Sequence, residues 1–171
     1  MIYPQLNSGA LNNTRQQVKS DPELNVTAHT PPHSTSHLSQ DNAADIKHDL
    51  IALGAQSSAA KQEAENSIWE IKHAMEKKDL RALKTAIEKS NKRIQSLNQN
   101  YDMVSLKSSE VAAAREKLKK DNNLQIEMGE IILSTSPDKQ KFEELQKKRS
   151  NSQKMVEIEM EALWIKANTA S

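Results

Sequence analysis

The residues of this sequence that could perform chemistry at a regular spacing are three histidines. His29, His33 and His37 recur every four residues, and on an α-helix this spacing would place three metal ligands on one face. Pro31 and Pro32 lie between the first two histidines and exclude the helix, because proline lacks the amide hydrogen and restricts the residue before it. We therefore interpret these histidines as polar residues of a flexible segment, and we predict no metal site.

The sequence lacks the common motifs of catalytic, phosphate-binding and metal-binding sites. It contains no Gly-rich phosphate loop, no Gly-x-Ser-x-Gly elbow, no His-Glu-x-x-His pair and no calcium-binding loop. It also contains no cysteine, which excludes disulfides, cysteine nucleophiles and cysteine-ligated zinc. His48 and His73 stand alone on predicted helices, and a catalytic pair of carboxylates needs a cleft that a thin bundle rarely provides. We expect no enzyme activity and no cofactor.

The balance of charge and hydrophobicity limits the classes of partner. The 24 basic and 23 acidic residues give a net charge of +1, which provides little attraction for a nucleic-acid backbone. The longest apolar runs, such as Val111–Ala114, are four residues long, against the ~20 residues of a membrane helix. The amino terminus lacks the basic and apolar regions of a cleaved secretory signal peptide. We expect protein partners, through self-association or through other helical proteins, and no nucleic acid and no membrane span.

Helices must position any functional surface, and the longest helical pattern is a heptad seam from Leu80 to Leu118. Apolar residues in it alternate at spacings of three and four, which is typical of a long amphipathic helix. The predicted packing or partner interface consists of Leu80, Leu83, Ile87, Ile94, Leu97, Tyr101, Val104, Val111 and Leu118. Ser90, Ser108 and Arg115 interrupt it with polar side chains. Such a stripe needs partner helices from the same chain or from another.

We predict an all-α fold, an elongated antiparallel helical bundle or coiled coil over residues 41–168 with a disordered tail at residues 1–40. The tail holds four of the five prolines and shows no apolar period, so it offers no face to bury; it is a candidate secretion signal. The predicted helices are about 42–53, 57–76, 79–133 with a hinge near 119–123, and 137–167. Their predicted N-caps are Asp41, Asp79 and Ser136.

Trp69 and Trp164 complete the predicted interface. The aromatic content is only 3%, and in such a chain a tryptophan on a helix is either a core anchor or an interface hot spot. The core is the favoured interpretation for both residues.

The stretch Asp79-Leu80-Arg81-Ala82-Leu83-Lys84-Thr85-Ala86-Ile87, followed by Asn91, is similar to the start of the C-terminal coiled-coil helix of EspA-like filament and tip proteins. The polar amino-terminal region and the cysteine-free helices also resemble the layout of bacterial type III secretion substrates. This resemblance implies a virulence-associated tip, filament or effector protein that is secreted without a cleaved signal peptide and acts through coiled-coil packing. The chain departs from that family by a further hairpin after residue 134. The alternative is an adaptor or chaperone-like coiled-coil protein of the bacterial cytoplasm that binds a partner helix.

Overall fold

The structure, a computed structural model, describes residues 37–169. It contains four α-helices, which are α1 (Ala43–Glu76), α2 (Leu80–Met103), α3 (Ser109–Leu133) and α4 (Lys139–Thr169). Within the described range the only β-type pairing is an isolated parallel bridge between Ser39 and Ser108. The predicted all-α fold is therefore confirmed. The predicted disordered tail comprises residues 1–40, of which residues 1–36 lie outside the described residues.

Short connections make successive helices antiparallel. Three residues join α1 to α2, and five residues form each of the other two connections, lengths that are typical of helical hairpins. Each helix packs against the next, and α1 also packs against α3 and α4. The 34 residues of α1 give it a length of about 51 Å. The chain thus forms the antiparallel bundle that the sequence predicts.

The apolar core is concentrated at the end of the bundle where α1 and α3 begin and α2 and α4 end. We call it the closed end. Its buried side chains are Ile46, Leu50, Leu53, Tyr101, Val111, Ala114, Leu163 and Ala167. The Tyr101 hydroxyl lies 2.7 Å from the Ser57 hydroxyl, so the one aromatic ring of this core has a polar partner. Because burying an Ile, Leu or Val side chain stabilises a fold by about 1.5–3 kcal/mol, this end is the main apolar contribution to stability.

The first helix is continuous, whereas the sequence predicts two segments, 42–53 and 57–76. Gly54 was expected to end the first segment, but a glycine ends a helix by adopting a left-handed conformation, and no glycine of the described chain has a positive φ. The helix therefore continues through Gly54 to its end at Glu76. Asn42, rather than Asp41, is its N-cap, because the Asn42 side chain accepts hydrogen bonds from two first-turn amides at 3.1 and 3.2 Å.

The predicted long helix over 79–133 is two helices, because the chain turns between Met103 and Ser109. Ser108 caps the second of them, and its hydroxyl accepts a hydrogen bond from the Val111 amide at 3.1 Å. No Pro or Gly lies in this connection, so a tertiary contact must specify the break.

The predicted hinge at 119–123 is an uninterrupted part of α3. Asn122 and Asn123 were expected to weaken the helix by bonding to nearby backbone groups. Instead their side chains form hydrogen bonds with the Asn98 side chain of α2, at 2.8 and 3.0 Å. Partners on another helix therefore remove the competition with the helical backbone.

Of the two other predicted N-cap residues, one is confirmed and one is wrong. The Asp79 carboxylate accepts a hydrogen bond from the Ala82 amide at 2.9 Å, as predicted for the start of α2. At α4 the N-cap is Asp138 rather than Ser136, because the Asp138 carboxylate accepts a hydrogen bond from the Lys141 amide at 2.9 Å. The helix accordingly begins two residues later than its predicted start at 137.

Candidate functional site

Between residues 37 and 169, eight of the twelve exposed large hydrophobic residues lie in two short segments. Single exposed hydrophobic residues are normal on a protein surface, whereas concentrations of them mark interaction sites. The first segment surrounds the α1–α2 turn and contains Ile68, Trp69, Met75 and Leu80. The second is the last part of α4 and contains Met155, Ile158, Trp164 and Ile165.

A groove of about 550 Å³ lies between α1 and α2 next to their connecting turn. We call it the hairpin groove. Its floor includes Ala74 and Ala86, which are 4% and 5% exposed, and its walls include Trp69, Lys77 and Arg81. Because alanine side chains are small, the floor leaves room for a larger side chain from outside the chain.

Trp69 forms one wall of the hairpin groove. Its indole ring stacks on the His73 ring, with ring centroids 4.8 Å apart and an angle of 15° between the planes. The two residues are four positions apart, the spacing that brings side chains together on a helix. Trp69 is 63% exposed and Trp164 is 38% exposed. The favoured interpretation of these tryptophans as core residues is therefore wrong, since both contact solvent.

The hairpin groove carries more free positive than free negative charge. Glu70 accepts a hydrogen bond from the Lys89 ammonium at 2.7 Å, and this contact lowers the pKa of Glu70. The Asp79 carboxylate is engaged as the cap of α2. Lys77 and Arg81 form no ion pair with any residue between 37 and 169. A partner that enters the groove therefore meets two uncompensated cations.

The exposed segment of α4 has the spacing of a helix-packing surface. Met155, Ile158, Ala162 and Ile165, which we call the α4 stripe, follow one another at intervals of three, four and three residues. The helix buries Val156 and Leu163 on a different face, because residues one position apart are separated by about 100° around the axis. The α4 stripe is thus a second apolar face that the bundle itself leaves uncovered.

A cleft of about 390 Å³ opens between the four helices near the middle of the bundle. Ile71, Ile94 and Leu97 are among its apolar lining residues, and Arg93 and Arg149 supply positive charge. Both guanidinium groups already have carboxylate partners. Arg93 lies 3.9 Å from a carboxylate oxygen of α1 and Arg149 lies 3.5 Å from one of α3. The cleft therefore presents little uncompensated charge to a ligand.

The predicted seam does not form one continuous surface. Its buried members are Ile87, Tyr101 and Val111, and its half-buried members are Leu83, Ile94, Leu97, Val104 and Leu118. Leu80 is 79% exposed. Because the chain reverses after Met103, these residues lie on two antiparallel helices, with Val104 in the connection between them, and they pack mainly inside the bundle.

Two of the three polar residues of the seam have hydrogen-bond partners, and the third is buried. Arg115 donates hydrogen bonds to the carbonyl groups of Tyr101 and Val104, at 3.3 and 3.2 Å, at the carboxyl end of α2, where no further helical turn supplies amides. Ser108 is the buried N-cap of α3, and Ser90 is a buried residue of α2. The seam was therefore interrupted by residues that end or pack helices, which the heptad pattern does not reveal.

Asp49 is a central residue that the heptad and capping patterns of the sequence do not identify. Its side chain has no exposed surface, and its Oδ2 atom accepts hydrogen bonds from the backbone amides of Lys107 and Ser108, both at 2.7 Å. Its Oδ1 atom lies 3.0 Å from His48 Nδ1. Asp49 thus fixes the connection between α2 and α3. The available signal was its place on the apolar face of α1, three residues after Ile46.

Glu110 is the centre of a second polar cluster at the closed end. It accepts hydrogen bonds from the Asp41 amide at 2.8 Å and from the Lys166 ammonium at 3.0 Å. Desolvation by burial raises the pKa of Glu110, but these hydrogen bonds outweigh it and lower the pKa to about 2. Hydrogen bonds to Asp41 and to Glu110 raise the pKa of Lys166. Between residues 37 and 169 no group of three His, Asp or Glu side chains is arranged to hold a metal ion.

The fold and these surfaces define an α-helical bundle whose exposed apolar side chains are concentrated on two helical surfaces. Residues 47–168 match the family described as uncharacterised lipoprotein PM1805, and because the match covers more than half of the 171 residues, the chain belongs to this family. No curated protein and no solved structure matches the chain.

Membership of this family corrects several expectations. The resemblance to EspA-like proteins is not kinship, because the matching family is a lipoprotein family and not a type III secretion family. The expected virulence-associated tip, filament or effector role is wrong for the same reason. A lipoprotein family also contradicts both expected locations, secretion without a signal peptide and the bacterial cytoplasm, and gives no support to a cytoplasmic adaptor or chaperone. In the described part of the chain, no helix has the length and apolar composition needed to cross a membrane.

Proposed function

We propose that this chain is a non-enzymatic protein-binding module and that the hairpin groove receives a segment of its protein partner. The observation that carries the proposal is Trp69, a 63% exposed tryptophan that is held by stacking on His73 at the wall of a groove of about 550 Å³. A tryptophan whose orientation is fixed before binding loses little conformational entropy when a partner covers it. Tryptophan and arginine, here Trp69 and Arg81, are also the residues that most often dominate binding energy in protein interfaces.

The shape of the site favours a protein segment over a lipid surface. The floor at Ala74 and Ala86 lies between two helices, and a flat bilayer surface does not reach such a floor. A helix or an extended segment can place one side chain there and pack its flanks on Trp69. The free charges of Lys77 and Arg81 further favour a segment that carries carboxylates.

The description of the family as a lipoprotein supports a location at a membrane, and we include this location in the proposal. The 171 residues contain no cysteine, so they offer no thiol for a thioether-linked or thioester-linked lipid. Fractionation of cells that express the chain tests the location directly. Recovery of the protein entirely in the soluble fraction would contradict it.

The proposed groove can be tested by photo-crosslinking in cells. A photo-reactive amino acid at Thr85, in the hairpin groove, should form a discrete adduct with a protein. The adduct should be lost when Trp69→Ala is added, because that change removes the wall on which the partner packs. Gln95, an exposed residue of α2 outside the groove, is the matched control and should give no such adduct. Absence of an adduct at Thr85, or an equally strong adduct with Trp69→Ala, would refute the proposal.

A further inference from the structure

We infer that the occupant of the hairpin groove is the α4 stripe of a second copy of this chain. This inference rests on the proposed function of the groove and adds the identity of the partner. Both surfaces are exposed and apolar in the described chain, and each has the shape that the other needs. The groove is concave with small floor residues, and the α4 stripe is a convex row of Met155, Ile158 and Ile165 on a regular helix.

The charges that accompany the two surfaces are complementary. Glu157, Glu161 and Lys154 are exposed next to the α4 stripe, and none of the three forms an ion pair with a residue between 37 and 169. Lys77 and Arg81 of the hairpin groove are also without ion-pair partners in this range. Free carboxylates thus outnumber free cations beside the α4 stripe, whereas the free charges of the groove are two cations. Complementary charges of this kind select a partner and orient it.

The groove of one chain cannot accept the α4 stripe of the same chain. The segment of α4 that carries the stripe packs at the closed end, where Leu163 and Ala167 contact the core around Ile46. The groove floor at Ala74 lies 28 residues further along α1, which is roughly 40 Å along a helix. The contact must therefore form between different copies.

A contact between two unlike surfaces is heterologous, so it repeats. Each chain that uses its groove still has a free stripe, and the result is a chain of copies or a closed ring. The symmetric alternative, in which two α4 stripes pair with each other, would place Glu157 and Glu161 of both copies at one interface. Like charges at an interface disfavour that pairing.

Sedimentation of the purified full-length chain over a concentration series tests this inference. We expect species larger than the 19.2 kDa monomer that grow with concentration. Trp69→Ala, which alters the groove, and Ile158→Asp, which alters the stripe, should each weaken self-association at least tenfold. Both positions are more than 60% exposed, so the helical content and melting temperature should stay unchanged. Ile51→Asp is the matched control, because Ile51 is 57% exposed and belongs to neither surface.

The decisive sample is an equimolar mixture of the two variants. The Trp69→Ala chain keeps an intact stripe and the Ile158→Asp chain keeps an intact groove, so the mixture should form heterodimers of twice the monomer mass and nothing larger. If Ile158→Asp dissociates the protein and mixing restores nothing, α4 pairs with α4 and the inference is wrong. A wild-type chain that remains monomeric up to ~0.5 mM, which means a self-association Kd of about 1 mM or weaker, also overturns it. In that case an adduct from Thr85 in cells would still support a different protein partner, so the inference and the proposed function fail separately.

Discussion

Replacement of Asp49 by Ala should destabilise the protein more than any other single removal of a carboxylate. The side chain is fully buried and is the acceptor for two backbone amides of the α2–α3 connection, at 2.7 Å each. A hydrogen bond to a charged group contributes about 1.5–3 kcal/mol, and a buried amide without an acceptor costs about 1–3 kcal/mol. Ser108 is fully buried and would lose its acceptor without compensation, whereas Lys107 is exposed and water can replace part of its bond. The two effects together give an expected loss of about 3–5 kcal/mol.

Urea unfolding followed by circular dichroism measures this loss. Asp49→Asn should cost less than Asp49→Ala, because the amide oxygen can take the place of Oδ2 and accept both hydrogen bonds, while only the charge is lost. Glu65→Ala is the control, because Glu65 is 57% exposed and lies 4.0 Å from its Lys61 partner, and its removal should cost less than about 0.5 kcal/mol. Amide hydrogen exchange should show Lys107 and Ser108 losing protection in Asp49→Ala. A loss below about 1 kcal/mol for Asp49→Ala, with both amides still protected, would refute the role given to this carboxylate.

Two further predictions concern the closed end and the glycines. The pKa of Glu110 is lowered from 4.5 to about 2 in the folded chain, so its contribution to stability is complete above pH 4.5 and disappears as the pH falls towards 2. Unfolding measured across this pH range should depend less on pH in Glu110→Gln, and an unchanged dependence would contradict the assignment. Gly54→Ala should stabilise the fold by about 0.5–1 kcal/mol, because alanine favours helices and nothing lies within 4 Å of the added Cβ. Gly129→Ala should gain less or destabilise, because its Cβ would lie 2.7 Å from the Asn91 side-chain oxygen; equal effects in thermal unfolding would contradict the packing.

Local signals in the sequence were sufficient for the helical class and for part of the connectivity. The turn before α2 was predicted from Asp79 and from the change of apolar phase between Met75 and Leu80, and Asp79 is indeed the N-cap. These signals involve residues within one or two helical turns of each other, so they can be recognised from neighbouring positions in the sequence. The start of α4 was predicted within two residues, although the capping side chain is Asp138 rather than Ser136.

The turn between α2 and α3 could not be predicted from local sequence. Its residues contain neither Pro nor Gly, and the heptad pattern continues through it from Tyr101 to Val111. What holds the turn is a carboxylate at Asp49, 58 and 59 positions away from the amides that it binds. A contact at such a separation exists only after the helices have packed. Neither the apolar periodicity nor a capping residue of the connection itself therefore predicts it.

The candidate site was predicted only in part, for a related reason. Trp69 and Leu80 were named as interface residues, and both are exposed near the α1–α2 turn. The rest of the seam was assigned to the same interface because a single long helix would have aligned it. Once the chain reverses after Met103, residues such as Val111 face the core instead. The hairpin groove depends on how α1 and α2 meet at Ala74 and Ala86, which is a property of the packed pair.

The two ends of the bundle are held by different interactions, and this difference explains why binding can be assigned to one of them. At the closed end, apolar burial is joined by the buried Asp49 contacts and by the Glu110 cluster. Near the α1–α2 turn, the ion pairs Lys72–Glu76 at 3.9 Å and Lys89–Glu70 at 2.7 Å lie at the surface, with side chains 30% to 75% exposed, and surface pairs contribute at most about 1 kcal/mol. The ion pairs of the hairpin end are therefore weaker than the buried polar contacts of the closed end, and apolar surface covered by a partner adds proportionally more there. A partner helix in the groove would complete the packing of this end while the closed end keeps the fold unchanged.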